Sequence, residues 1–107
     1  MELNGKPTYW THRAKRDLEK IFHFNKVLYG TEKAKEISYS IRERTLLLEN
    51  PEYDFERIGS VDESFNHLKH TYRKLIEGYC KITYRIGKKR IYIVRVFDTR
   101  QHPSKNL

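Results

Sequence analysis

The apolar period of this chain changes once. Between Thr11 and Leu48 the apolar residues recur every three or four positions, and from about His67 they recur every two. A period of 3.6 turns one stripe of a helix toward a core, and a period of two turns one face of a strand toward it. A chain of 107 residues is one domain of ordinary size. With its helices first and its strands second, it is expected to be an α+β domain whose helices cover one sheet face.

The punctuation agrees with the period. Lys6–Trp10 reads as a short extended segment, with Pro7 suited to a strand start or an edge. Thr11 is an N-cap candidate, after which Ala14, Leu18, Ile21, Asn25 and Leu28 fall on one helical stripe. Arg13, Lys15, Arg16, Asp17, Glu19 and Lys20 are left for the solvent side. Gly30 stops this helix and Thr31 is placed to cap a second, whose stripe is Ala34, Ile37, Ile41, Thr45 and Leu48. So short a link predicts an antiparallel helical hairpin. Residues 50–66 have no period and read as a loop. The strands predicted beyond are His70–Glu77, Cys80–Ile86 and Arg90–Phe97, joined by turns at Gly78-Tyr79 and Gly87-Lys88-Lys89. The order is β-α-α-β-β-β, a helical hairpin packed on a small antiparallel sheet. One domain over 1–107 is expected, with 1–5 and 103–107 as loose ends.

Charge follows the same division. Residues 67–107 hold eleven Lys or Arg against two acids, whereas residues 1–66 hold eleven against twelve. The net +8 therefore belongs to the strands. A cationic surface concentrated in this way is the electrostatic footprint of a polyanion partner. If Ile82, Tyr84 and Ile86 meet the helices, Lys81 and Arg85 point to the open face, and Lys74 joins them from the preceding strand. Arg100, Gln101 and His102 leave the end of the last strand. These side chains are expected to converge on one concave surface. A single Cys excludes an internal disulfide, no Cys/His cluster has zinc spacing, and no apolar run is long enough to span a bilayer. No metal, cofactor or membrane is expected, and the expected compartment is a reducing cytosol. Cys80 suits a small buried role better than that of a nucleophile. Glu77 suits a turn and Asp98 an ion pair at a strand end.

The segment from Tyr72 onward carries a resemblance. Arg73-Lys74-Leu75, Glu77-Gly78, Lys81-Ile82-Thr83-Tyr84-Arg85-Ile86, Ile91-Tyr92-Ile93 and Val96-Phe97-Asp98-Thr99-Arg100-Gln101, in that order and spacing, resemble toxins of the RelE/ParE superfamily of type II toxin–antitoxin systems. Trp10-Thr11 before Ala14, Asp17-Leu18 and Ile21 matches the way such toxins begin their first helix, so the likeness runs over about residues 6–107. It implies the fold read above and a cognate antitoxin as partner. RelE-like members cut mRNA in the ribosome; ParE-like members inhibit DNA gyrase without nuclease chemistry. The sequence departs from the RelE-like pattern at Cys80, where an aromatic residue is expected, and in having no tyrosine after Pro103.

On the mRNA-cutting reading the chemistry needs a base for the 2′-proton, a cation on the phosphorane and an acid for the leaving oxygen. Arg100 and Arg85 are the candidates for the cation, and Lys81 for phosphate binding or the base. His102 or His70 is the candidate acid. Lys74, Arg73, Tyr72, Arg95 and Gln101 are the candidate binding residues, with Tyr72 and Tyr79, or Tyr84 and Tyr92, available to stack on bases. Tyr84 shares a face with Ile82 and Ile86 and is better placed as core. The partners implied are ribosome and mRNA, with gyrase as the alternative; the remaining reading of the basic strands is a nucleic-acid-binding module with no toxicity.

Overall fold

A computed structural model of the protein, which describes residues 6–50, 60–62 and 71–101, resolves the two periods into two layers. The elements are β1 (Thr8–Trp10), α1 (His12–Tyr29), α2 (Thr31–Leu46) with a 3₁₀ turn at Leu47–Glu49, β2 (Ser60–Val61), β3 (Arg73–Glu77), β4 (Cys80–Ile86) and β5 (Ile91–Asp98). The expected order is present. The addition is β2, a two-residue strand inside the stretch read as loop; 51–59 and 63–66 of that stretch lie outside the described residues. The strand expected from His70 begins at Arg73, and His70 itself lies outside the described residues.

Thr11 is the N-cap of α1. Its backbone is extended, its hydroxyl oxygen accepts from the Ala14 amide at 3.2 Å, and its amide donates to the Ile93 carbonyl at 3.1 Å. The helix is thereby fixed to the sheet at its first residue. Gly30, at φ 93°, ends α1 and is also the N-cap of α2. Thr31 does not cap the second helix as expected: it is the first helical residue, and no side chain caps α2. One glycine in a conformation that other residues avoid reverses the chain alone, leaving no position between the helices for a separate cap.

The sheet order is β1-β5-β4-β3-β2, with β1 parallel to β5 and the other pairs antiparallel. The core lies between this sheet and the hairpin. Ala14, Ile21, Ile41 and Leu48 from the helical side meet Leu75, Ile82, Tyr84, Ile91, Ile93 and Val96 from the strands. Burying a side chain of this size contributes roughly 1.5–3 kcal/mol, and this layer holds the two halves of the chain together. Leu28, expected on the stripe, is half exposed at the helix end.

Two readings of phase are corrected here. Asp17, assigned to solvent, is buried: it lies three residues after Ala14 and four before Ile21 and so shares their stripe. Strict alternation along Arg90–Phe97 sets Ile91 and Ile93 against Tyr92, Val94 and Val96, yet Val96 is buried with Ile91 and Ile93 because β5 bulges. The register passes from Thr83↔Arg95 to Tyr84↔Ile93, so Val94 is the extra residue, and alternation restarts one position later. The bulge and Asp17 belong together. β1 covers β5 only at Ile91–Ile93, and beyond it the Val96 amide donates to the Asp17 carboxylate at 3.0 Å. A helix carboxylate thus closes the strand edge that β1 leaves open.

Candidate functional site

The cations expected to share one hollow are held in three separate places. Lys81 does lie on the sheet face away from the helices, but it is not open there. Only 7% of it is exposed, and its ammonium lies 3.0 Å from the Asp62 carboxylate. Thr83, on the same face, donates at 2.8 Å to Asp62 Oδ2, the same oxygen that lies 3.0 Å from the ammonium, and is fully buried. Asp62 follows β2, whose pairing with β3 brings it over the sheet, and its amide donates to the Tyr72 carbonyl at 2.7 Å. The extra strand is therefore what delivers the acid that neutralises Lys81.

Arg100 lies on the opposite side, against the helices. Its guanidinium donates to Asp98 at 2.7 and 3.1 Å, to the Asn25 amide oxygen at 2.9 Å and to the Tyr29 hydroxyl at 3.0 Å. It also stacks on Tyr79, 4.3 Å from the ring centroid. The hydrogen bond to Asp98, outweighing the opposing effect of burial, raises the guanidinium further above its already high pKa. Four of the five N–H groups that an arginine carries are engaged, so the bidentate fork needed for a phosphate is already occupied by the protein. Asn25, fully buried in the apolar stripe of α1, also donates to the Ile21 carbonyl at 3.0 Å. Arg100 thus clamps the C-terminal end of α1 to the end of β5, beside a cleft of about 270 Å³ lined by Tyr29, Ile37, Tyr79 and Cys80 among others. Burial, and then the Asp98 charge, push the Cys80 thiol up from 9.0 to about 12. That keeps Cys80 protonated and unreactive, as its core position requires.

Arg95 turns to the helix, with its Nε 2.7 Å from the Asp17 carboxylate. Arg85 is the one expected catalytic cation that stays on the open sheet face and in no ion pair among the described residues: its guanidinium stacks 4.4 Å above the Tyr92 ring. Lys74 is half-buried on the Lys81 face, opposite Thr83 in the register, whereas Arg73 lies opposite Tyr84 and so on the helix side. Tyr72 is half-buried beside Asp62, and Gln101 is half-buried in the turn after β5, its backbone N–H donating to the Asp98 carbonyl at 3.1 Å. His102 lies outside the described residues. The expected single concave surface is therefore not formed by Lys81, Arg85 and Arg100. The sheet separates Lys81 from Arg100, and Arg85 sits four residues further along β4 from Lys81.

The residues that decide this arrangement are the acids and amides Asp17, Asn25, Asp62 and Asp98, to which no site role was given. Three carried a sequence signal: Asp98 is expected in an ion pair at a strand end, and it makes one with Arg100. Asn25 and Asp17 stand at helical spacing among buried apolar residues, and a polar group so placed requires a partner. Asp62 sits in an aperiodic stretch and gave none. Among the described residues no cluster of metal-ligating side chains is present, and no helix is long and apolar enough to cross a membrane.

Comparison with known proteins agrees with the fold. A family model described as the ParE toxin of type II toxin–antitoxin system, parDE, matches residues 9–103. No curated protein matches. Among solved structures the chain is similar to one from the chromosomal ParDE TA system from P. aeruginosa, at 25% identity and a TM-score of 0.69. That likeness covers 87% of this chain and 95% of the other, so it is a likeness of whole domains and not of one motif.

Proposed function

The chain belongs to the ParE toxin family of type II toxin–antitoxin systems, and from that premise we propose that it arrests growth by binding DNA gyrase and not by cutting message. The observation that carries this reading is the engagement of its cations. A ribonuclease without metal needs a free guanidinium and an adjustable lysine around one phosphate. Here Lys81 is neutralised by Asp62 on one face, and Arg100 is consumed by Asp98, Asn25 and Tyr29 on the other. Bringing them to one phosphate would break both networks. A toxin that works by occupying a surface of its target needs no such convergence.

The partner that restrains it is, on this reading, a cognate antitoxin. A chain of net charge +8, with the excess on its strands, favours an acidic segment that orders on binding. Two assays on the purified protein test the target. Supercoiling by gyrase is expected to stop, with cleaved DNA–gyrase complexes accumulating, while message translated on ribosomes stays intact. Cutting of message by ribosomes plus toxin, with supercoiling unaffected, would overturn the proposal.

A further inference from the structure

The cation left over by these networks stands in a row. On the sheet face away from the helices, Tyr9 of β1, Tyr92 of β5 and Arg85 of β4 are direct neighbours in the register. Arg85 lies over Tyr92 at 4.4 Å, the Tyr92 ring meets Tyr9 edge-on at 5.9 Å, and Arg90 lies over Tyr9 at 5.1 Å. The result is a continuous ladder, Arg90–Tyr9–Tyr92–Arg85, across three strands. The turn that precedes Arg90 adds Lys88 and Lys89, both exposed.

The ion pairs of nearby cations are made elsewhere, Lys81 with Asp62 and Arg95 with Asp17, and among the described residues Arg85 and Arg90 pair with no carboxylate. Each arginine is held by one π-face on a ring, which leaves its N–H edge free for an anion. Tyr9 is 45% exposed, so one ring is open to a further stacking partner. Gly87 keeps the row intact: a Cβ there would lie 2.8 Å from the Tyr92 ring.

We propose that this ladder is a binding site for single-stranded nucleic acid, with a base stacked at Tyr9 and the flanking phosphates held by Arg85, Arg90 and the Lys88-Lys89 turn. An acidic peptide would satisfy the charges but would leave the exposed ring without a use. A duplex presents phosphates but keeps its bases stacked on one another. Alternating phosphates and free π-faces are the one polyanion that matches both halves of the row. The site is independent of the gyrase reading and lies on the opposite side of the sheet from Arg100.

The test is fluorescence anisotropy with the full chain and labelled oligothymidylate, oligouridylate, a DNA duplex and polyglutamate, each about a dozen units long, a length comparable to known single-strand sites. Single strands are expected to bind most tightly, and the two single-stranded probes decide between DNA and RNA. Tyr9→Ala is expected to weaken their binding about tenfold and Tyr9→Phe to retain it. Arg90→Glu, at an exposed position, should weaken binding and flatten its dependence on salt, the slope of log K against log salt falling by at least about 0.7. Equal binding of wild type and Tyr9→Ala, with both folded by thermal melting, would overturn the proposal. So would duplex or polyglutamate binding as tightly as single strands, or an Arg90→Glu variant that binds like wild type.

Discussion

Arg100 reads as a catalytic residue by position and as a structural one by its bonds, and the two roles predict different variants. Arg100→Ala leaves the Asp98 carboxylate, which is fully buried, without its guanidinium. The expected loss is about 3 kcal/mol of stability, visible as a lower urea midpoint. A purely catalytic arginine would leave that midpoint unchanged. Asp62→Ala is expected to cost about 2–4 kcal/mol, because both Lys81 and Thr83 donate to that carboxylate. Cys80 supplies a pH dependence whose sign is fixed. Its thiol is raised from 9.0 to about 12 in the fold, so between those values the folded state holds the proton that the unfolded state releases. Its contribution is constant below pH 9.0 and falls as pH rises above that value. Cys80→Ala is expected to remove this part of the alkaline decline, measured as the difference in unfolding free energy between the two proteins across that range.

At the level of elements, most of the fold was readable, and the failures share one cause. Cys80–Ile86 is bounded correctly by the sequence, and Ala34, Ile41 and Thr45 of α2, with Leu48 of the 3₁₀ turn after it, are buried as expected, because apolar spacing is a local property. The phase of β5 was lost after Ile93 because a bulge is a relation between strands: Val94 becomes the extra residue only when β4 is alongside. Asp17 went to solvent for a similar reason, since the amide it satisfies lies 79 residues away at Val96. The candidate site suffered most. Parity along β4 placed Lys81 on the correct face, but nothing in its neighbours announced Asp62. The β4–β5 turn offers a direct test of how an element depends on one side chain's absence. Gly87→Ala puts a methyl 2.8 Å from the Tyr92 ring and 2.9 Å from the Arg90 carbonyl. The turn must open, at a cost of about 1–3 kcal/mol, and the Arg90–Tyr9 stack should loosen with it. Thermal melting measures the first effect and oligonucleotide binding the second.

For the whole molecule, the surplus charge and the apolar surface predict how an antitoxin is held. Tyr29, Tyr39 and Tyr79 are all more than half exposed, beside a sheet that carries the cations. Affinity for an acidic partner is expected to fall with added salt and then level off at a finite value, because ionic contacts are screened while apolar burial is not. Titration calorimetry across a salt series measures both parts. A plateau at no binding would mean that charge alone holds the pair.

The parallel pairing of β1 with β5 sets the order in which this molecule can assemble. Thr11 hydrogen-bonds to Ile93, 82 residues further on, so β1 has no neighbour until the hairpin of β4 and β5 exists. The two helices can form from local contacts within microseconds, but this pairing must wait for a long loop to close. The first strand translated is thus the last to dock, and the Arg90–Tyr9 stack exists only after that step. A chain arrested before it would carry a finished helical hairpin and an unsealed sheet, with the edge of β5 exposed to any passing strand.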